Sequence, residues 1–264
     1  MRVRPPAVAG LFYPDSAPVL NAQIDGFMQA SQAGAIPPAI LTPHAGYVYS
    51  GSTAGYAYSL WADCGIKHVV IVGPTHRVGI KAVAIPDADA VATPLGTVPI
   101  WTEGTDIALR LPQVVVSGAA HADEHSLEVQ LPFLQRTLRD FDVLPLAAGW
   151  VTPQAVAEVL EALWDTPGLG VVISSDLSHY HSYADATRID QATIDQILAL
   201  DATIDHDQAC GATGLNGMLL VASANNLKPR LLHACNSGDT AGDKRRVVGY
   251  TAVAFESDTH QEKT

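Results

Sequence analysis

The chain has 264 residues, 48% of them hydrophobic, enough apolar material for the core of one α/β domain. With 27 acidic residues against 15 basic ones the formal net charge is −12, and the only basic run is KRR at 244–246, which argues against nucleic acid or an anionic membrane surface as a partner. No apolar stretch approaches the roughly 20 residues that span a bilayer, and MRVRPPAVAG lacks the long apolar segment of a signal peptide, so the cytoplasm is the expected compartment.

Residues 1–14 are rich in proline and aromatics and read as an extended arm laid on the domain. Leu20, Ile24, Phe27 and Met28 place a helix over 15–33, and Ala39 to Leu41 form a first buried strand ahead of His44. A helix of small and aromatic residues follows over 52–61, then a strand, Val69 to Val72, that delivers GPTH and His76. Lys81 to Ile85 reads as a strand, Pro94-Leu95-Gly96 as a turn, and Thr105 to Leu111 as a short helix; Val114 to Val116 is too short to assign. HADEHSLEVQLPFLQRTLRD reads as an amphipathic helix through Leu127, Leu131, Leu134 and Leu138, with Pro132 either in a first turn or at a kink. Strands over 141–147, at Val171 to Ile173, over 230–234 and over 247–255 alternate with helices over 153–164, 185–200 and 214–225; residues 257–264 form a polar tail. The alternation implies one domain over 1–264, a central mixed sheet with helices on both faces.

Apolar strands in such sheets deliver their reactive groups at their carboxyl ends. His44, His76, the pair Asp176 and His179, and Cys235 all follow apolar runs in this way and point to one shared site. Two neutral imidazoles and one anionic ligand leave an open face on a divalent metal, and His44, His76 and Cys235 can supply that set. His179 is then the free acid or base, Asp176 orients it, binds metal or caps a helix, and His125 and Glu128 line the pocket or form a solvated helical turn. Cys64, Cys210 and Cys235 are too widely and unevenly spaced for a disulfide framework.

RPPAVAGLFYP (4–14), TPHAGYVYSG (42–51), GPTHR (73–77), TPLG (93–96), DEHSLEVQLPF (123–133), ISSDLSHY (173–180) and CNSGD (235–239) together resemble the Memo family, whose prokaryotic members are described as AmmeMemoRadiSam system protein B. The resemblance implies a fold shared with class III extradiol ring-cleaving dioxygenases, whose iron is held by two histidines and a glutamate. On that pattern His44 and His76 match the metal histidines, Cys235 takes the glutamate's place, His179 matches the acid/base histidine, and Asp176 and His125 fall on pocket positions. Iron is the implied cofactor, with copper or zinc as alternatives. The implied partners are a small-molecule substrate or a peptide, together with an AMMECR-type protein and a radical SAM enzyme. A non-catalytic metal- or peptide-binding module that keeps the pocket is the competing expectation.

Overall fold

The computed structural model describes residues 1–29 and 34–257. The end of the helix expected to reach Ala33 and residues 258–264 of the tail lie outside them. In chain order the first half holds β1 (Val3–Arg4), α1 (Ala17–Met28), β2 (Ala39–Thr42), α2 (Tyr47–Tyr58), β3 (His68–Pro74), β4 (Val83–Ile85), β5 (Ala90–Thr93), β6 (Gly96–Pro99), α3 (Thr102–Ala108), β7 (Val114–Val116), α4 (Gly118–Ala122), α5 (His125–Glu128) and α6 (Leu131–Thr137). The second half holds β8 (Asp142–Ala148), α7 (Pro153–Trp164), β9 (Leu169–Ser174), β10 (His179–His181), α8 (Tyr183–Leu198), α9 (Ala212–Ala224), β11 (Lys228–Asn236) and β12 (Val247–Glu256).

The large sheet is mixed and runs β10-β12-β2-β9-β3-β8-β4-β7, with β11 also paired to β12. Its centre, β2, β9, β3 and β8, is parallel; β12 joins β2 and β4 joins β8 in antiparallel fashion. Strands buried on both faces read as unbroken β-branched runs, which is why these segments were visible in the sequence. The two faces alternate along each strand: Val70, Val72 and Ile173 pack with α7 and α9, whereas Val69, Ile71 and Val172 pack with α1, α2 and α6. On that second face α2 lies against α1 so closely that a Cβ at Gly55 would strike the backbone of Phe27.

The expected arm is present but not merely extended. β1 adds to β5 in parallel, and with the β5-β6 hairpin makes a separate small sheet; the hairpin turns at Pro94-Leu95, with Gly96 at φ +120°. Val114–Val116 is a strand paired with β4, and β10 is a short strand that apolar patterning does not reveal.

The single amphipathic helix expected after His121 is instead the three pieces α4, α5 and α6. Glu124 takes extended angles, φ −81° and ψ 123°, and its side chain accepts the N–H of Ser126, so the chain restarts a helix there. Pro132 lies in the first turn of α6, where its missing N–H costs no helical hydrogen bond. Helix α2 begins five residues before its expected start because its small residues show no apolar stripe.

Candidate metal centre

β2 and β3 flank β9, so the residues that follow their carboxyl ends emerge side by side. The register pairs Thr42 with Ser174 and Val72 with Ile173, and the chain leaving these strands carries His44, His76 and Asp176. From the neighbouring α5 comes His125. The ring centroids of His44 and His76 lie 5.2 Å apart, those of His76 and His125 4.5 Å, and those of His44 and His125 5.4 Å. Each imidazole offers one nitrogen to a group whose donor atoms all lie within 4.8 Å of one another. His44 is buried, His125 partly buried and His76 open to the cavity.

The surrounding hydrogen bonds decide which nitrogens are free. Ser174 Oγ donates to Ser126 O (2.6 Å) and accepts from Gln130 Nε2 (2.8 Å). Having used its only proton, it accepts from His44 Nδ1 at 2.9 Å, so His44 carries its hydrogen on Nδ1 and its lone pair on Nε2. Gln130 Nε2 also donates to Pro43 O, while its Oε1 accepts from Thr42 and Tyr58, leaving no vacant position on the amide. The Glu124 carboxylate takes both the backbone N–H of His76 (2.5 Å) and Nδ1 (2.8 Å), which likewise frees His76 Nε2. Burial alone would push the Glu124 carboxyl up, but the hydrogen bonds and charge of His76, with the N–H of Ser126, bring it down to about 2.

Burial, followed by the other imidazoles, lowers His44 well below the ordinary imidazole range, and burial brings His125 down to about 4. Both rings are neutral at pH 7, the form that ligates metal. Among the described residues the buried His125 Nδ1 makes no hydrogen bond, and a Glu124 carboxylate oxygen lies 3.5 Å away. Lone-pair nitrogens on His44 and His76, with one nitrogen of His125 inside the same 4.8 Å group, fit a bound divalent ion, and neutral imidazoles suit zinc, iron or copper.

Cys235 does not belong to this group. It is the penultimate residue of β11, paired with Tyr250 of β12, and β12 lies between β11 and β2, which at about 4.8 Å per strand sets it roughly 10 Å from the β2 end. Its thiol turns toward α2 and meets Thr53 Oγ1 at 3.2 Å. The third converging donor is His125, which the sequence had placed only as a pocket residue. The cysteine that does approach is Cys210, whose Sγ stands 3.2 Å from His44 Nε2; burial, with the charge of Asp176 next, pushes that thiol up to about 12.

The remaining expected site residues share a cavity of about 590 Å³ with the histidines. Asp176 accepts the N–H groups of His44 (2.7 Å) and Ala45, and so fixes the turn ahead of α2; burial pushes its carboxyl up to about 7 despite those bonds. His179 is lowered by burial, and a hydrogen bond to backbone at Leu177 holds one side of its ring. Glu128 is elsewhere: it is buried under the arm, bonded to Arg4, Ala7, Val8 and Tyr13. Sequence reasoning passed over Glu124, for which an acid directly beside a histidine in HADEH was the available signal. It also passed over Ser174 and Gln130, which carry no such signal. Among the described residues no helix is long and apolar enough to cross a membrane.

The whole chain has counterparts elsewhere. The family model described as "Memo-like protein" matches residues 4–254. Proteins named "MEMO1 family protein" from Aquifex aeolicus and Archaeoglobus fulgidus are each 36% identical, covering 97% and 96% of this chain and 100% and 99% of their own lengths. One of the same name from Metallosphaera sedula is 34% identical over 96% of this chain and 99% of its own. With the match running through the strand ends that carry His44, His76 and His179, the chain belongs to the Memo family.

Proposed function

We propose that the protein is a metal-dependent oxidoreductase of the dioxygenase type that acts on a small substrate in the 590 Å³ cavity. The observation that carries this reading is the convergence of His44, His76 and His125, two of them fixed in the ligating tautomer by Ser174 and Glu124. These three residues would hold the ion, iron first among the candidates. When bound, the metal supplies Lewis acidity and, if it is iron or copper, access to dioxygen.

The rest falls to the protein. Asp176 keeps the His44 turn in place, and Glu124 fixes the His76 ring through its Nδ1. His179, kept neutral by burial and fixed on one side at Leu177, is free to take a proton from a substrate hydroxyl and return it later. Phe12, Tyr49 and Tyr250 give the cavity apolar walls suited to a planar ring.

The test is iron loading without oxygen, metal analysis, and an oxygen-uptake screen with catechols. His125→Ala is expected to lower bound metal and Cys235→Ser to leave it unchanged; His179→Ala keeps metal and loses turnover. Full metal loading with no oxygen uptake for any substrate would refute the oxidoreductase reading. In that case the three-imidazole set favours a zinc-activated water, for which ester hydrolysis is the assay.

A further inference from the structure

The histidine cavity has a cationic edge. Arg246 lines it, and the guanidinium carbon lies 5.1 Å above the centre of the Tyr180 ring, which lines it as well. The neighbouring cations are committed otherwise: Arg245 pairs with Asp243, and Lys244 lies 4.8 Å over Tyr183. Arg246 makes no ion pair among the described residues, in a chain with 27 acids and 15 bases. Asp243 shares the cavity, yet its carboxylate is taken by Arg245.

The backbone is bent to make this pair. β10 meets β12 with His179 opposite Val248 and His181 opposite Val247, so Tyr180 is an extra residue without a partner. It sits at φ +62°, a left-handed conformation that an aromatic residue adopts only at a cost. A bulge of this kind re-aims one side chain, here placing an exposed ring on the cavity wall beside Arg246, the residue just before β12.

We propose that Arg246 and Tyr180 form the specificity subsite for a carboxylate on a small planar substrate, the guanidinium binding the carboxylate and the tyrosine holding the guanidinium in place. The assignment deepens the proposed oxidoreductase and rests on it for the meaning of "substrate", but binding itself needs no metal. A guanidinium fork matches the two oxygens of a carboxylate in one plane. A single unpaired arginine near Asp243 favours a monoanion over a phosphate dianion, which calls for more than one cation. Stacking on Tyr180 orients the fork and leaves its N–H groups for the ligand.

The test is titration calorimetry of the metal-free, full-length protein with benzoate, benzamide and phenyl phosphate. Benzoate is expected to bind more tightly than benzamide. Arg246→Gln lowers benzoate affinity about tenfold and leaves benzamide unchanged, and Arg246→Lys recovers only part of the loss. Tyr180→Gly, which relieves the left-handed backbone, keeps the melting temperature while weakening benzoate. Equal benzoate binding by wild type and Arg246→Gln, no preference for benzoate over benzamide, or tighter phenyl phosphate binding would each overturn the assignment. Because no metal or oxygen enters the titration, failure of the oxygen-uptake screen leaves this result intact, and the reverse also holds.

Discussion

Glu128 offers the sharpest test of how the arm is held. One carboxylate oxygen accepts Val8 N (3.0 Å) and Tyr13 Oη (2.7 Å); the other accepts Ala7 N (2.8 Å) and Arg4 Nη1 (2.7 Å). The carboxylate is fully buried and the Arg4 side chain only 9% exposed. In Glu128→Gln the amide must present its NH₂ to one of these donor pairs. The less costly choice faces Tyr13, whose hydroxyl can turn and accept, and leaves Val8 N–H unpaired at about 1–3 kcal/mol. Arg4 then keeps a neutral acceptor but loses its counter-charge, part of the 3–5 kcal/mol that a broken buried pair costs. Together the change costs about 3–5 kcal/mol, a large share of the 5–15 kcal/mol typical of whole domains. Urea unfolding would show a lower midpoint, and chymotrypsin would cut faster at Phe12, which the arm carries against His125 with ring centres 4.6 Å apart. An unchanged midpoint together with unchanged cleavage would refute the view that this carboxylate anchors the arm.

Glu124→Gln should weaken metal binding 10–100-fold in a chelator competition, since His76 keeps a hydrogen-bond acceptor but loses the charge behind it; equal affinity would detach Glu124 from the site. His121 is buried, bonded through Nε2 to Ala84 O at 2.9 Å, and lowered by burial from 6.5 to about 4. Above pH 6.5 it is neutral folded and unfolded alike. As pH falls from 6.5 to 4 only the unfolded chain takes up the proton, so stability is lost by up to about 3 kcal/mol. Asp176, raised from 3.8 to about 7, acts in the opposite sense over that window, so the readout is the difference in slope between wild type and His121→Gln. Equal slopes would show that His121 ionises freely in the fold.

The parallel core was legible because each central strand is apolar on both faces, and for the same reason the positions of His44, His76, Asp176 and His179 at strand ends could be read from the chain alone. Strand order was not legible. Nothing in RLLHACNSGD says that β12 separates β11 from β2, and that one intervening strand is what keeps Cys235 away from the imidazoles. His125 lay within a segment that read as one helix; its true setting depends on Glu124 breaking that helix to reach His76 across 48 residues of sequence. The Tyr180 bulge was equally hidden, because a left-handed tyrosine leaves no trace in apolar patterning.

Gln130 never enters the cavity, yet it governs what the cavity presents. Were it Glu, of nearly the same shape, the carboxylate would demand a proton from Ser174 in place of the hydrogen bond it now donates to it. Ser174 would then abandon Ser126 O while still accepting from His44 Nδ1, and the Pro43 carbonyl, which now receives the amide's second hydrogen, would face a carboxylate oxygen one residue ahead of His44. A residue with no contact to any ligand thus stands guard over the position of one that would have it.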